Sequence, residues 1–188
     1  MRLFVALTPP DDVVEVLHAY TRGLRESAPE LRWTRPEHWH VTAAFLGEVS
    51  DDVVDELTRR LNRAAARRPP LALALGGGGR FGHQVLWTGV RGDRDGLRML
   101  ADSTRAAARR TGLVVEHRTY RPHVTLARAD GGVDLRPLVE RLVSWQGPPW
   151  VATRLQLVRS RLGAVPGGSA LHEPIAGWPL ESAPADHQ

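Results

Sequence analysis

The chain contains no cysteine and no lysine. The first absence excludes a disulfide scaffold, a thiolate zinc site, an iron–sulfur cluster and a thiol nucleophile. The second makes all 25 basic residues arginine, against 21 acids, for a net charge of +4. Arginine presents a planar fork that fits phosphate, so the composition suits an anionic partner. A GC-rich codon bias is the plainer source of the same composition. Long apolar runs are also missing. Nothing approaches the roughly 18 apolar residues of a membrane-crossing helix. The apolar stretch Leu3–Leu7 is too short for a secretion signal and is closed by Pro9-Pro10. The expected location is the cytoplasm, with no membrane partner. What remains is 188 residues, 42% hydrophobic and 24% charged, enough for one globular domain with a substantial core.

Strand and helix patterns alternate. Leu3–Leu7, Leu31–Thr34, His40–Leu46, Leu71–Leu75, Val85–Val90, Leu113–Glu116, His123–Ala127, Thr153–Ser160 and His172–Trp178 read as strands. Asp11 to Ser27, Asp51–Ala66, Asp95–Arg110 and Asp134–Ser144 read as helices from their apolar spacing. Residues 181–188 read as a loose tail.

A shift of 83 residues lays the first part of the chain over the middle without a gap. Leu3-Phe4 falls on Leu86-Trp87, Leu17 on Leu100, and His40-Val41-Thr42 on His123-Val124-Thr125. A helix follows each histidine strand, Leu57–Leu61 matching Leu138–Leu142 two residues short of the shift. Two units, about 1–66 and 84–145, therefore predict two similar lobes related by a pseudo-two-fold axis within a single domain of residues 1–180. Coincidence readily explains single leucine matches. It explains a repeated polar triplet in the same register much less well.

In a strand, His40 and Thr42 share a face, as do His123 and Thr125, with Val41 and Val124 on the opposite face. Two such strands brought across a pseudo-two-fold axis present two imidazoles and two hydroxyls to one cleft. That set can cleave a phosphodiester without a metal or other cofactor. One neutral imidazole takes a proton from water while one protonated imidazole gives a proton to the leaving oxygen. The threonines can donate to non-bridging oxygens. Eleven threonines and eight histidines in 188 residues predict about half a His-x-Thr match by chance. Three occur. The third, His117-Arg118-Thr119, has a charged centre and leads into Arg121-Pro122, so it reads as a turn.

These residues resemble a known family. His40-Val41-Thr42-Ala43 and His123-Val124-Thr125-Leu126 are similar to the paired signatures of the 2H phosphoesterase superfamily. Arg2–Leu7, His40–Gly47, Tyr120–Arg128, and Leu157–Leu162 followed by Gly167-Gly168 resemble its LigT-like RNA 2′,3′-cyclic phosphodiesterase branch. One departure is His172, where such proteins often carry tyrosine, a difference expected to touch a peripheral contact only. The resemblance implies a bilobal α+β fold, with mainly antiparallel sheets flanked by helices around a central groove. It implies hydrolysis of a terminal 2′,3′-cyclic phosphate to a 2′-phosphate, with His40 as acid, His123 as base, and Thr42 and Thr125 holding the phosphate. RNA ends or small cyclic nucleotides are the expected substrates, and a monomer the expected state.

Arg128 and Phe45 are further candidates for substrate binding. Strand parity turns Arg128 away from His123 and Phe45 away from His40, so each contributes only if its strand ends or bends there. Gly76–Gly79 lacks the Lys-Ser/Thr of a phosphate loop and reads as a flexible turn. His38 and His40 share a face, but no further ligand sits at a matching spacing, so no metal site is expected. Arg59-Arg60 and Arg67-Arg68 read as a solvated helix end. The same four His and Thr residues also suit another ester, such as an ADP-ribose cyclic phosphate or a 2′–5′ linkage, or 2′–5′ RNA ligation. A nucleotide-binding module without turnover is the alternative of a different class.

Overall fold

The computed structural model describes residues 1–116, 118–161 and 170–181. Its strands are β1 (Arg2–Leu7), β2 (Arg32–Trp33), β3 (Val41–Glu48), β4 (Leu71–Phe81), β5 (Val85–Gly92), β6 (His123–Arg128), β7 (Gln146–Ala152), β8 (Arg154–Arg161) and β9 (Leu171–Pro179). Its helices are α1 (Asp11–Ser27), α2 (Asp51–Ala65), α3 (Arg94–Arg109) and α4 (Arg136–Leu142). Each helix buries one stripe: Val13, Leu17, Thr21 and Leu24 in α1, and Leu57, Leu61 and Ala65 in α2. Acids open both helices at Asp11-Asp12 and Asp51-Asp52, and arginines Arg25 and Arg63 close them, as the helix dipole favours. In α3, the Asp93 carboxylate accepts from the Gly96 N–H at 2.8 Å and caps the first turn.

The strands form two antiparallel sheets, β3-β1-β8-β9 and β2-β6-β5-β4-β7. The fold is bilobal α+β. In each sheet the strand that opens a repeat, β1 or β5, lies beside the histidine-bearing strand, β3 or β6. The helices cross between lobes. α1 packs against β7 in the second sheet, whereas α3 packs against β3 in the first and against α2. One continuous core runs from Leu3, Val5 and Leu7 to Leu86, Leu97 and Leu126. Phe4, Ala6 and Val158 form a separate small cluster on the other face of the first sheet.

The structure differs from the expected elements at four places. Gly76–Gly79 is part of strand β4, not a turn. A Cβ on Gly78 would come 2.3 Å from Leu142 Cβ, and one on Gly79 would come 2.2 Å from the Trp87 ring, so these glycines admit close packing against the strand. Leu113–Glu116 is not a strand, and Val114 is 95% exposed. Its counterpart β2 crosses to pair with β6 of the other sheet, while β3 keeps a free edge among the described residues. Strand β7 was not anticipated. It pairs with β4 from Leu71↔Ala152 to Gly76↔Gln146, and its Pro148-Pro149 pair is tolerated because β7 is an edge strand. The helix expected over Asp134–Ser144 is shorter, because the Asp134 carboxylate instead accepts from the Arg136 N–H at 3.0 Å, ahead of the first turn. His117, Leu162, Gly167, Gly168 and the tail from 182 onward lie outside the described residues.

Candidate active site

His40 directly precedes β3 and His123 opens β6. Each ring is anchored alike. His40 Nδ1 lies 2.7 Å from the His38 carbonyl, and His123 Nδ1 lies 2.6 Å from the Arg121 carbonyl, in both cases two residues upstream. A carbonyl only accepts, so each Nδ1 donates, and Nε2 is the nitrogen left for chemistry. Between His38 and His40, Trp39 is fully buried and fixes that segment to the core. The lobes are tied where the motifs meet: the Tyr120 hydroxyl donates to the Thr42 carbonyl at 3.0 Å. Burial pushes this phenol well above its ordinary pKa, against the opposing charge of Arg105.

The two imidazoles are near enough for the charge of His123 to act on His40. The His40 pKa is pushed down to about 4, chiefly by burial and further by the charges of His172, His123 and His38, against the opposing hydrogen bond to His38. Burial also lowers the His123 pKa, and the Arg128 charge adds to the effect. Both rings are therefore neutral near neutral pH. Aromatic rings flank each one. Phe4 lies 4.6 Å from His40, and Phe81 and Trp87 lie 4.8 and 6.0 Å from His123, between ring centroids. Thr42 and Thr125 are partly exposed beside their histidines. The buried Thr88 and Thr104 give their hydroxyls to carbonyls. Those of Thr42 and Thr125 take no protein partner among the described residues.

Phe45 and Arg128 do not follow strand parity. In the β1–β3 ladder, Val5 pairs with Ala44 and Ala6 with Thr42, leaving Ala43 as an extra residue. In the β5–β6 ladder, Leu86 pairs with Ala127 and Trp87 with Thr125, leaving Leu126 as the extra residue. A bulge of one residue flips every later side chain to the other face. Phe45 is thus opposite Phe4, with ring centroids 6.2 Å apart and the side chain 63% exposed. Arg128 occupies the same place in the other lobe. Its charge is felt by both His123 and His172, and among the described residues it has no ion-pair partner. Loss of water around its guanidinium, then the like charges of Arg32 and Arg2, lower its pKa. With Arg32, Gln84, Ala129 and Asp130 it lines a cavity of about 250 Å³.

His172 is not peripheral. Its ring lies 5.1 Å from His40, 5.1 Å from His38 and 5.0 Å from Phe4. Sequence reasoning missed this because only the pairing of β9 with β8 brings residue 172 to the site. Trp87 and Phe81 were also missed as neighbours of His123, although Trp87 matches Phe4 in the shift of 83. His38 shares the neighbourhood, but among the described residues no group of three His, Cys, Asp or Glu side chains is placed to hold a metal.

The model of the 2′-5′ RNA ligase superfamily matches residues 4–164, most of the chain. The chain belongs to this superfamily. Its relatives include the RNA 2′,3′-cyclic phosphodiesterase of Geobacillus stearothermophilus, 27% identical over 96% of this chain and 58% of that protein. The protein of that name from Escherichia coli K12 is 33% identical over 68% of this chain and 71% of its own length. The match to the Geobacillus protein therefore spans under two thirds of its length. The solved structure of Escherichia coli LigT in apo form superposes with a TM-score of 0.75 at 27% identity, covering 96% of this chain and 98% of that one. LigT complexed with 3′-AMP gives 0.73, with 95% and 96% covered. Superfamily membership and the LigT fold agree with the 2H resemblance carried by the two His-x-Thr strands.

Proposed function

We propose that this chain is an RNA 2′,3′-cyclic phosphodiesterase that opens a terminal cyclic phosphate to a 2′-phosphate with its two histidines. The observation that carries the reading is the pair His40 and His123, each anchored through Nδ1 to the carbonyl two residues upstream and electrostatically linked across one groove. The names of the relatives and the 3′-AMP held by LigT support the substrate class.

In the mechanism, the cyclic phosphate sits between the two Nε2 atoms. His123 takes a proton from water as the water oxygen bonds to phosphorus. The P–O3′ bond breaks, and His40 gives its Nε2 proton to the departing O3′. The product is a 2′-phosphomonoester, and solvent exchange returns both rings to their starting states. Burial favours neutral His40. The negative phosphate therefore has to raise its proton affinity on binding. Thr42 and Thr125 donate to the non-bridging oxygens, Arg128 balances the phosphate charge, and Phe45 offers a face on which a base can stack. No step requires a cofactor.

The test is incubation with cyclic-phosphate-ended RNA and with 2′,3′-cyclic mononucleotides, in buffer containing EDTA. The expected product is the 2′-phosphate, released at an unchanged rate with chelator present. A 3′-phosphate product would reverse which P–O bond breaks. Turnover lost in EDTA and restored by zinc or manganese would overturn the two-histidine mechanism.

A further inference from the structure

We propose that His172 is a third imidazole of the phosphate site, a neutral hydrogen-bond donor that offers its Nε2–H to a non-bridging oxygen beside His40. This rests on the reading of the groove as a phosphodiester site. The placement comes from β9, which pairs with β8 and sets His172 opposite Ser160. The ring meets Phe4 edge-on at 5.0 Å and His40 edge-on at 5.1 Å. Phe4 lies on the face of the first sheet turned away from the main core, so His172 lies on the groove side as well.

The two ring nitrogens of His172 are not equivalent. Nδ1 is shut off from solvent and has no partner among the described residues. A proton there would bury an N–H with no acceptor, which is the costlier arrangement. That cost favours the neutral tautomer with its proton on Nε2. The charged and titratable groups facing this ring are His38 and His40 from the segment before β3, and Arg128 from β6. The next residue on β9, Glu173, is engaged by Arg159 and Arg161. Burial first, then the charges of His38 and Arg128, push the His172 pKa down to about 4, against the weaker opposing pull of the His38 carbonyl. At neutral pH the ring is therefore neutral in the folded protein.

His172→Phe keeps a flat ring against Phe4 and His40 and removes the donor, whereas His172→Tyr returns a hydroxyl donor at the ring's far end. The experiment measures kcat/KM on a 2′,3′-cyclic nucleotide and affinity for inorganic phosphate. His172→Phe should lower both by about tenfold, the size expected for one hydrogen bond to a charged group, and His172→Tyr should recover most of the loss. A phenylalanine variant equal to the wild type, or a tyrosine variant no better than phenylalanine, overturns the proposal. Should the phenylalanine variant fail to fold, side-chain nitrogen NMR of the wild type decides instead. An Nε2–H tautomer whose signal moves on adding phosphate supports the assignment, and an Nδ1–H tautomer or an unmoved signal overturns it. Wild-type protein that binds phosphate but releases no product would sink the reaction reading alone, since the phosphate titrations still decide His172.

Discussion

His40 and His123 are held by the same backbone contact but sit in different surroundings. His40 is packed against Phe4 and His172, whereas His123 faces the cation Arg128. Replacing either by alanine should cost on the order of 10²–10⁴-fold in turnover, the usual range for a positioned proton-transfer group. Direction is readable from leaving groups. A substrate whose departing oxygen needs no proton should rescue His40→Ala more than His123→Ala, and the opposite pattern would exchange the two roles. Arg128→Gln supplies a second test. Removing that cation makes His123 easier to protonate, so its pKa rises, and the pH–rate limb that needs neutral His123 should move to higher pH. An unmoved limb with a raised KM would leave Arg128 as a binding residue only. The histidines and threonines were legible because a polar triplet repeats in register. His172 was not, because its role depends on which strand β9 lies beside.

At the scale of elements, the expectations that failed depended on pairing. Parity along His40–Leu46 and His123–Ala127 turned Phe45 and Arg128 away from the groove, but one extra residue ahead of each, Ala43 and Leu126, turns them toward it; a second extra residue, Leu46, follows Phe45 in β3. A bulge depends on the partner strand and leaves no mark in the apolar alternation of either strand alone. The glycine run failed differently. Gly76–Gly79 resembles a turn by composition, yet Gly78 is where α4 closes on β4 through Leu142. Gly78→Ala should therefore force helix and strand apart, at about 1–3 kcal/mol for an overpacked core contact. A urea melt of this variant that overlays the wild-type curve would show that α4 is free to move. Leu113–Glu116 has strand-like residues, but among the described residues no strand pairs with it, whereas the two-residue β2 gains a partner by crossing to β6.

At the scale of the whole molecule, the lobes share helices as well as a groove. α1 follows β1 of the first sheet yet covers β7 of the second, and α3 follows β5 of the second yet covers β3 of the first. Either half alone would expose the sheet face that the other half's helix covers. The chain should therefore unfold in one transition, with calorimetric and van't Hoff enthalpies equal. Two resolved steps would show that the lobes fold independently. The groove between them also sets the response to acid. His40, His123 and His172 all have pKa values below the ordinary 6.5, with His40 and His172 near 4. Between about pH 6.5 and 4 the unfolded chain thus binds more protons at these positions than the folded one. Their contribution to stability is complete above about pH 6.5 and is lost progressively as the pH falls through that window. Carboxylates add their own acid sensitivity, so the comparison has to be with a variant carrying asparagine at 40, 123 and 172. Urea midpoints measured from pH 7.5 to 4.5 should fall more steeply for the wild type than for that variant. Parallel curves would mean that the three imidazoles are as easily protonated in the folded groove as in the open chain, and the neutral resting site inferred for the mechanism would fall with them.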